Sequence, residues 1–392
     1  MFTDFVMNGQ ASGEFASALQ GVRYDPGLLR PYIDRDGKKY CTVNTGRTVY
    51  NPKTGKDEAT YAKVAIKDLM AQDVQSPVFN ATSMRKESWI ELDRVVLKAA
   101  RLRLRAWSDL MAANSFGGFD GMSKLVLEHE TMSDPGEAVV DMDGLTDGRN
   151  DAPRFQLQGL PLPITHSDFW FSRRKLAVSQ SSGTPLDTTM AEAAGRRVAE
   201  LVERTLIGVN AGLTYGGNSS QVGGYGRNSS VYGYTNFPNR LTYTSLATPT
   251  GSNPDATVGN VLNMRELLYA NRFYGPFMIY TSSDWDLYLD NDYARLGGNN
   301  ASMTLRQRLE GIDGIQGIKR LDFLTNATNP FTMIMVQMTP DVARAVNGMN
   351  MTTVQWESQG GMRLNFKVMA IWVPQIRADF NGNAGILQAS TF

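Results

Sequence analysis

The chain has 392 residues, with 39 Lys and Arg against 39 Asp and Glu, two His and one Cys. The zero formal net charge excludes a protein held to nucleic acid by a global basic excess, and the single Cys41 excludes an intramolecular disulfide framework, so stability must come from packing and assembly. No apolar run reaches the roughly 18 residues of a membrane span, and the start Met1-Phe2-Thr3-Asp4 lacks the basic and apolar segments of a secretory leader.

Residues 1–80 alternate turn signals (Asp25-Pro26-Gly27, Asp36-Gly37, Asn51-Pro52, Thr54-Gly55) with short apolar pieces. They are too apolar for a disordered tail and too aperiodic for a compact domain. The segment reads as an extended arm whose Phe2, Phe5, Phe15, Leu28, Leu29 and Tyr32 bury against another subunit. A small irregular domain packed on its own chain is the alternative.

Residues 84–114 predict one helix, because Trp89, Leu92, Val96, Ala100, Leu104, Trp107 and Met111 recur at helical spacing. Arg94, Lys98, Arg101, Arg103 and Arg105 crowd its other faces, more often a solvated or subunit-facing surface than a nucleic-acid face. Residues 123–176 predict an antiparallel excursion. Leu125-Val126-Leu127 turns at Asp134-Pro135-Gly136 and returns through Ala138-Val139-Val140, and Phe155-Gln156-Leu157-Gln158 and Phe169-Trp170-Phe171 follow. Two strands cannot bury both of their faces alone. Leu125, Leu127, Val139, Phe155 and Leu157 are therefore candidate inter-subunit contacts.

From Ile164 to Gly208 the pattern is a strand, a turn and a helix of about 23 residues, roughly 35 Å long. Thr184 suits the N-cap, Pro185 the first helical position, Asp187 the first turn and Gly208 the C-terminal stop. Leu186, Met190, Val198 and Leu201 are the expected core residues of its apolar stripe. Residues 209–250 form a Gly-, Ser-, Asn- and Tyr-rich loop. Mixed α/β structure is expected after it. Helices are predicted over 255–272, from Ser283 and over 303–309, with strands over 277–280, 318–324 and 331–337. A capped helix is predicted from Thr339-Pro340 to about Gly348, then strands over 353–357 and 362–373. Leu364, Phe366, Val368, Ala370 and Trp372 share one face of the last strand.

No residue set for catalysis, a cofactor or a metal emerges. His129 stands between Glu128 and Glu130, but on a strand those carboxylates point away from it. His166-Ser167-Asp168 lacks the convergent geometry of a triad, and no G-x-S-x-G segment is present. Gly223-Gly224-Tyr225-Gly226 lacks the lysine of a phosphate loop, and Asp141-Met142-Asp143-Gly144 lacks the later ligands of a calcium loop. Tyr215, Tyr225, Arg227, Tyr232 and Tyr234 could stack on bases, although Tyr and Gly together more often make an adhesive surface loop.

Several segments fall in a specific order. Ser88-Trp89 opens a basic helix that closes at Phe116-Gly117-Gly118. Pro163-Ile164-Thr165-His166-Ser167-Asp168-Phe169 runs into Ser172-Arg173-Arg174, and Thr184-Pro185-Leu186-Asp187 leads through to Ile207-Gly208. Tyr274-Gly275-Pro276-Phe277, Ser283-Asp284-Trp285, Leu305-Arg306-Gln307-Arg308-Leu309 and Trp356-Glu357-Ser358 follow. From about residue 84 to residue 373 this order resembles the encapsulin-like branch of the Hong Kong 97-type major capsid proteins of tailed bacteriophages.

The resemblance implies an α+β fold with a long spine helix, an extended β-hairpin loop, an axial α/β domain and an extended N-terminal arm. On this chain the arm would be 1–83, a first peripheral helix 84–120, the extended loop 121–176 and the spine helix 177–208. The axial domain would be 209–345, with an insertion at 215–240, and the peripheral strands 346–392. It implies a non-enzymatic protein without cofactors that self-assembles, through pentamers and hexamers, into an icosahedral shell around double-stranded DNA. The shell would be assembled in the cytoplasm of a bacterial host and belong to the virion. Portal, scaffold and decoration proteins are further candidate partners, with packaged DNA contacted weakly and no membrane. The first 80 residues and the insertion depart from cargo-housing encapsulins and favour the phage capsid. An encapsulin compartment and a soluble hydrolase are the alternatives.

Overall fold

A computed structural model describes residues 32–34, 38–51, 56–65, 84–101, 103–133, 155–175, 188–208, 231–250, 254–291, 303–324, 331–379 and 381–390, with the single residues 140, 142, 143, 152 and 178. Near the N-terminus, β1 (Tyr32–Ile33), β2 (Lys39–Asn51), β3 (Lys56–Ala65) and β4 (Met84–Arg85) form a sheet ordered β3-β2-β1-β4. The β2–β3 hairpin was not expected of an extended arm. The short parallel pairing of β1 with β4 ties it to the helix that follows.

The single helix expected over 84–114 is two, α1 (Lys86–Arg101) and α2 (Ala106–Ala113). The break has a physical cause. Glu203 Oε1 accepts from the backbone N–H of Ala106 at 2.7 Å and Arg105 at 3.3 Å, and Oε2 accepts from that of Trp107 at 3.1 Å. A continuous helix would commit those N–H groups to preceding carbonyls. Capped from outside, they start a new helix.

The long helix α3 (Thr189–Ile207) ends at Gly208 in the left-handed conformation (φ 89°), as its glycine suggests. It starts after Thr188; Thr184, Pro185, Leu186 and Asp187 lie outside the described residues. The expected stripe needs correction. Val198 is buried, but Met190 is 51% and Leu201 37% exposed. The buried face runs through Ala191, Ala194, Gly195, Val198, Ala199, Val202 and Leu206 instead. Close approach to α1 selects small side chains: a Cβ on Gly195 would stand 2.9 Å from the Val96 carbonyl oxygen.

These helices cover one face of a sheet ordered β5-β13-β14-β8, built from β5 (Ser115–Phe116), β13 (Ala343–Ser358), β14 (Arg363–Ile376) and β8 (Thr165–Ser172). Leu364, Phe366, Val368 and Ala370 point into the helical layer, as their alternation requires, and Trp372 stacks on Trp107 at 6.1 Å. The capped helix expected from Thr339-Pro340 is not formed. The amides of Val342 and Ala343 both return to the Thr339 carbonyl in one turn, and β13 begins at once. Pairing along nearly all of β14 satisfies more backbone than one short helix could, so tertiary context overrides the local signal.

On the opposite sheet face lies a hairpin, β6 (Val126–Met132) with β7 (Phe155–Pro161). The expected return strand over 138–140 is not its partner: Val140 is fully exposed outside any strand, and Val139 lies outside the described residues. Leu160 and Leu162 anchor the hairpin against Val346, Ile371 and Val373, burial that a return through 138–140 would forgo.

A second core surrounds a five-stranded sheet ordered β11-β10-β12-β15-β9, from β9 (Leu241–Tyr243), β10 (Phe277–Thr281), β11 (Ile315–Arg320), β12 (Thr332–Gln337) and β15 (Ile386–Ser390). Helix α4 (Pro254–Ala270), the short α5 (Asp286–Leu289) and α6 (Leu305–Glu310) pack their apolar sides on it. The C-terminal strand β15 sits inside this sheet, between β12 and β9, so the chain ends in this core rather than with β14.

Candidate functional site

The outer face of the β13–β14–β8 sheet is only half covered. The hairpin seals the half containing Ile371 and Val373. Toward the other end the register aligns Trp356 with Asn365 and Asn365 with Trp170, so the two indoles flank one residue on the same face. Trp170 is 52% and Trp356 40% exposed. The Arg363 guanidinium lies 4.4 Å over the Trp170 ring, and the Lys367 ammonium 5.6 Å over the Trp356 ring. Met362 in the adjoining turn is also exposed, and β8 is an edge strand. Trp170, Trp356 and Met362 thus group large exposed apolar side chains on the uncovered half of this face, a candidate contact patch.

The expected contact residues divide. Leu125 and Phe155 stand out from the hairpin, 60% and 62% exposed. Leu157 is half-buried. Leu127 packs against the hairpin's own anchoring cluster and Tyr32 against the helix-sheet core, so these two are corrected to contacts within the chain. The reason is local in both cases: β1 is held beside α1 by its pairing with β4, and Leu127 lies opposite the buried Leu160. Phe2, Phe5, Phe15, Leu28, Leu29 and Leu186 lie outside the described residues. Sequence reading missed Trp170, Trp356 and Glu203. The alternation Phe169-Trp170-Phe171 carried a usable signal, since one aromatic of such a run must face away from the core.

Behind this sheet a buried polar joint ties the two cores together. Burial pushes the Glu203 carboxyl up to about 7, against the opposing pull of its three backbone hydrogen bonds. Beside it, the Asp109 carboxylate accepts from the Tyr280 hydroxyl at 3.3 Å and the Lys319 ammonium at 2.6 Å. Tyr280 stacks on Tyr234 at 6.1 Å, and burial raises both phenols. The far end of α3 is fastened too: the Tyr234 and Thr235 amides donate to the Leu206 and Ile207 carbonyls at 2.8 and 2.9 Å. At the hairpin, Gln375 Nε2 donates to His129 Nδ1 at 3.2 Å, and burial with nearby Arg377 and Arg344 lowers the imidazole's affinity for a proton.

His166 Nδ1 lies 3.3 Å from Asp168 Oδ1, but both project from an exposed strand with Ser167 on its opposite face. A cleft of 180 Å³ lined by Ile164, His166, Leu201, Val231 and Trp372 is smaller than the roughly 300–1,000 Å³ of small-molecule sites. Among the described residues no group of three or more His, Cys, Asp or Glu converges as a metal site, and no helix is long and apolar enough to cross a membrane.

Residues 80–389 match the DUF6260 family, described as a family of unknown function. No curated protein matches the chain. Among solved structures, a virus-like particle from Pyrococcus furiosus is similar at TM-score 0.52 and 14% identity, covering 77% of this chain and 99% of that one. The capsid of Myoviridae Phage XM1 is similar at TM-score 0.51 and 9% identity, covering 72% of this chain and 92% of that one. At these identities the likeness establishes the fold, which is of the Hong Kong 97 type.

Proposed function

The chain belongs to the DUF6260 family of unknown function, and we propose that it is a major capsid subunit that self-assembles into a closed icosahedral shell around double-stranded DNA, as in a tailed phage. The observation that carries this reading is the half-covered sheet. A chain with two complete cores leaves Trp170 and Trp356 bare on one end of it and holds out Leu125 and Phe155 on the adjoining hairpin. Closed symmetry repeats such a contact many times, so each can be modest. In this reading α3 is the spine, the β6–β7 hairpin the extended loop, since β8 within 121–176 belongs to the central sheet, the five-stranded sheet with β15 the axial domain rather than 209–345, and the residues before α1 the arm that reaches neighbours. Portal, scaffold and decoration proteins would complete a virion. The subunit's work is mechanical, not enzymatic.

Electron microscopy and light scattering of the purified full-length chain test the reading. Closed megadalton particles are expected. A monodisperse monomer or small oligomer at all concentrations overturns it. The second reading, a cargo compartment, draws on the near-complete coverage of the Pyrococcus virus-like particle chain. Packaged nucleic acid inside native particles supports the capsid, and an enclosed protein the compartment.

A further inference from the structure

At the end of the outer sheet face away from the bare indoles, two guanidiniums come together. Register places Arg344 opposite Gln375, and the amide of Arg377, one residue past β14, donates to the Val342 carbonyl at 2.9 Å. The register pair Val346 and Val373 lies in the cluster under the hairpin. Alternation then puts Arg344, Gln375 and Arg377 on that same face, with the two arginines as diagonal neighbours within reach of each other. From the hairpin, His129 is held against the buried Gln375 at 3.2 Å and is also bonded by Gln158, its register partner on β7.

Both arginines are half-buried, and most of their donors are unspent. The Arg377 Nε is buried without an acceptor, and among the described residues this side chain makes no hydrogen bond or ion pair. Arg344 spends its Nε on the Pro340 carbonyl at 2.6 Å, and its guanidinium lies 5.7 Å from the centre of the Phe116 ring. The acids nearby do not close the site. Asp341 is exposed and acts on Arg377 without forming an ion pair with it. Asp379 accepts from Asn383, and Glu128 and Glu130 flank His129 but point to the hairpin's other face. Burial, and then Arg344, hold Arg377 below the usual guanidinium range, with Asp341 pulling the other way. Unmatched donors in a half-buried fork cost free energy that an acceptor would recover.

We propose that Arg344 and Arg377 bind one oxyanion, a carboxylate or a phosphate, between their guanidinium forks, with Gln375 and His129 as the wall of the site. A planar fork of N–H donors matches either anion in two parallel hydrogen bonds, and the anion's charge separates the two like cations. In a lone chain free phosphate can fill the site. In a shell a carboxylate of a second copy can do so, and only this choice of source rests on the shell reading.

Calorimetric titration of the unassembled full-length chain with inorganic phosphate, at constant ionic strength, tests the site. Saturable binding is expected, and Arg377→Gln and Arg344→Gln should each weaken it at least about tenfold. Arg377→Lys keeps the charge but loses the fork, and should weaken it less. The control Arg363→Gln, whose guanidinium lies over Trp170, should leave it unchanged. Without phosphate, Arg377→Gln should unfold at the parent's denaturant midpoint or above it, because it removes one of two like charges. No saturable binding by the parent chain, unchanged affinity in either glutamine variant, or an equal loss in the control overturns the proposal. So does a lowered midpoint for Arg377→Gln, which would make Arg377 a structural residue. Titration of closed particles separates the sources: binding lost on closure assigns the site to a carboxylate of a second copy, and binding retained assigns it to free phosphate. A chain that binds phosphate yet never forms particles sinks the shell reading and leaves the oxyanion site standing.

Discussion

The two faces of the β13–β14 pair come from the same strands and end in different states. Toward the helices, Leu364, Phe366, Val368 and Ala370 are sealed by α1–α3. Toward the hairpin, Ile371 and Val373 are sealed but Trp356, with Trp170 on the neighbouring strand, stays open. The first face is completed within the chain. The second leaves area that a copy can bury, and the proposed shell contacts fall on it. In the proposed shell, folding and assembly would fall on opposite sides of one sheet.

That division can be broken by mutation, and the largest effect on folding is expected on the sealed face. Phe366 stacks on Phe169 at 5.2 Å, and Phe366→Ala should cost about 3–5 kcal/mol, read as a fallen midpoint in denaturant unfolding of unassembled chain. An unchanged midpoint would show that this face is not the core.

Glu203 should come next. Glu203→Ala leaves buried amides without an acceptor and should cost about 1–3 kcal/mol. Its pH dependence has a definite sign. The folded carboxyl holds its proton up to about 7, above its ordinary value, so the folded state binds more protons between those limits. Stability should be greatest on the acid side and decline as pH rises from about 4.5 to about 7, and Glu203→Gln should flatten that slope.

His129, under the sealed half of the outer face, should give a smaller effect of opposite sign. Its folded imidazole resists a proton that the unfolded chain accepts near pH 6.5, so stability should fall as pH drops below that value. Because the two slopes overlap, the His129 slope is best measured in the Glu203→Gln background, where His129→Gln should abolish it.

The least effect on folding is expected on the bare half. Trp170→Ala with Trp356→Ala should shift subunit stability by no more than about 1 kcal/mol while cutting particle yield severalfold in light scattering. Normal shells from this double variant would remove the outer face from the assembly contacts.

The helix-sheet core was legible where a period repeats. The alternation of Leu364 through Trp372 and the stop at Gly208 could be read from local chemistry, because side-chain direction follows from backbone period. Of the candidate surface, the sequence named Leu125 and Phe155, which are exposed beside and on a hairpin whose pairing differs from the expected one, whereas Leu127 and Tyr32 pack on their own chain.

The sequence alone determined which stretches could be helix or strand and that no catalytic constellation stood out among its motifs. Only tertiary structure decided that Glu203, nearly a hundred residues away, would split α1 from α2. It also decided that small residues rather than Met190 and Leu201 would face the core, and that 339–348 would enter a strand. Each of these outcomes depends on a partner distant in the chain. A capping carboxylate, a backbone within 3 Å or a long neighbouring strand supplies free energy that no local window contains.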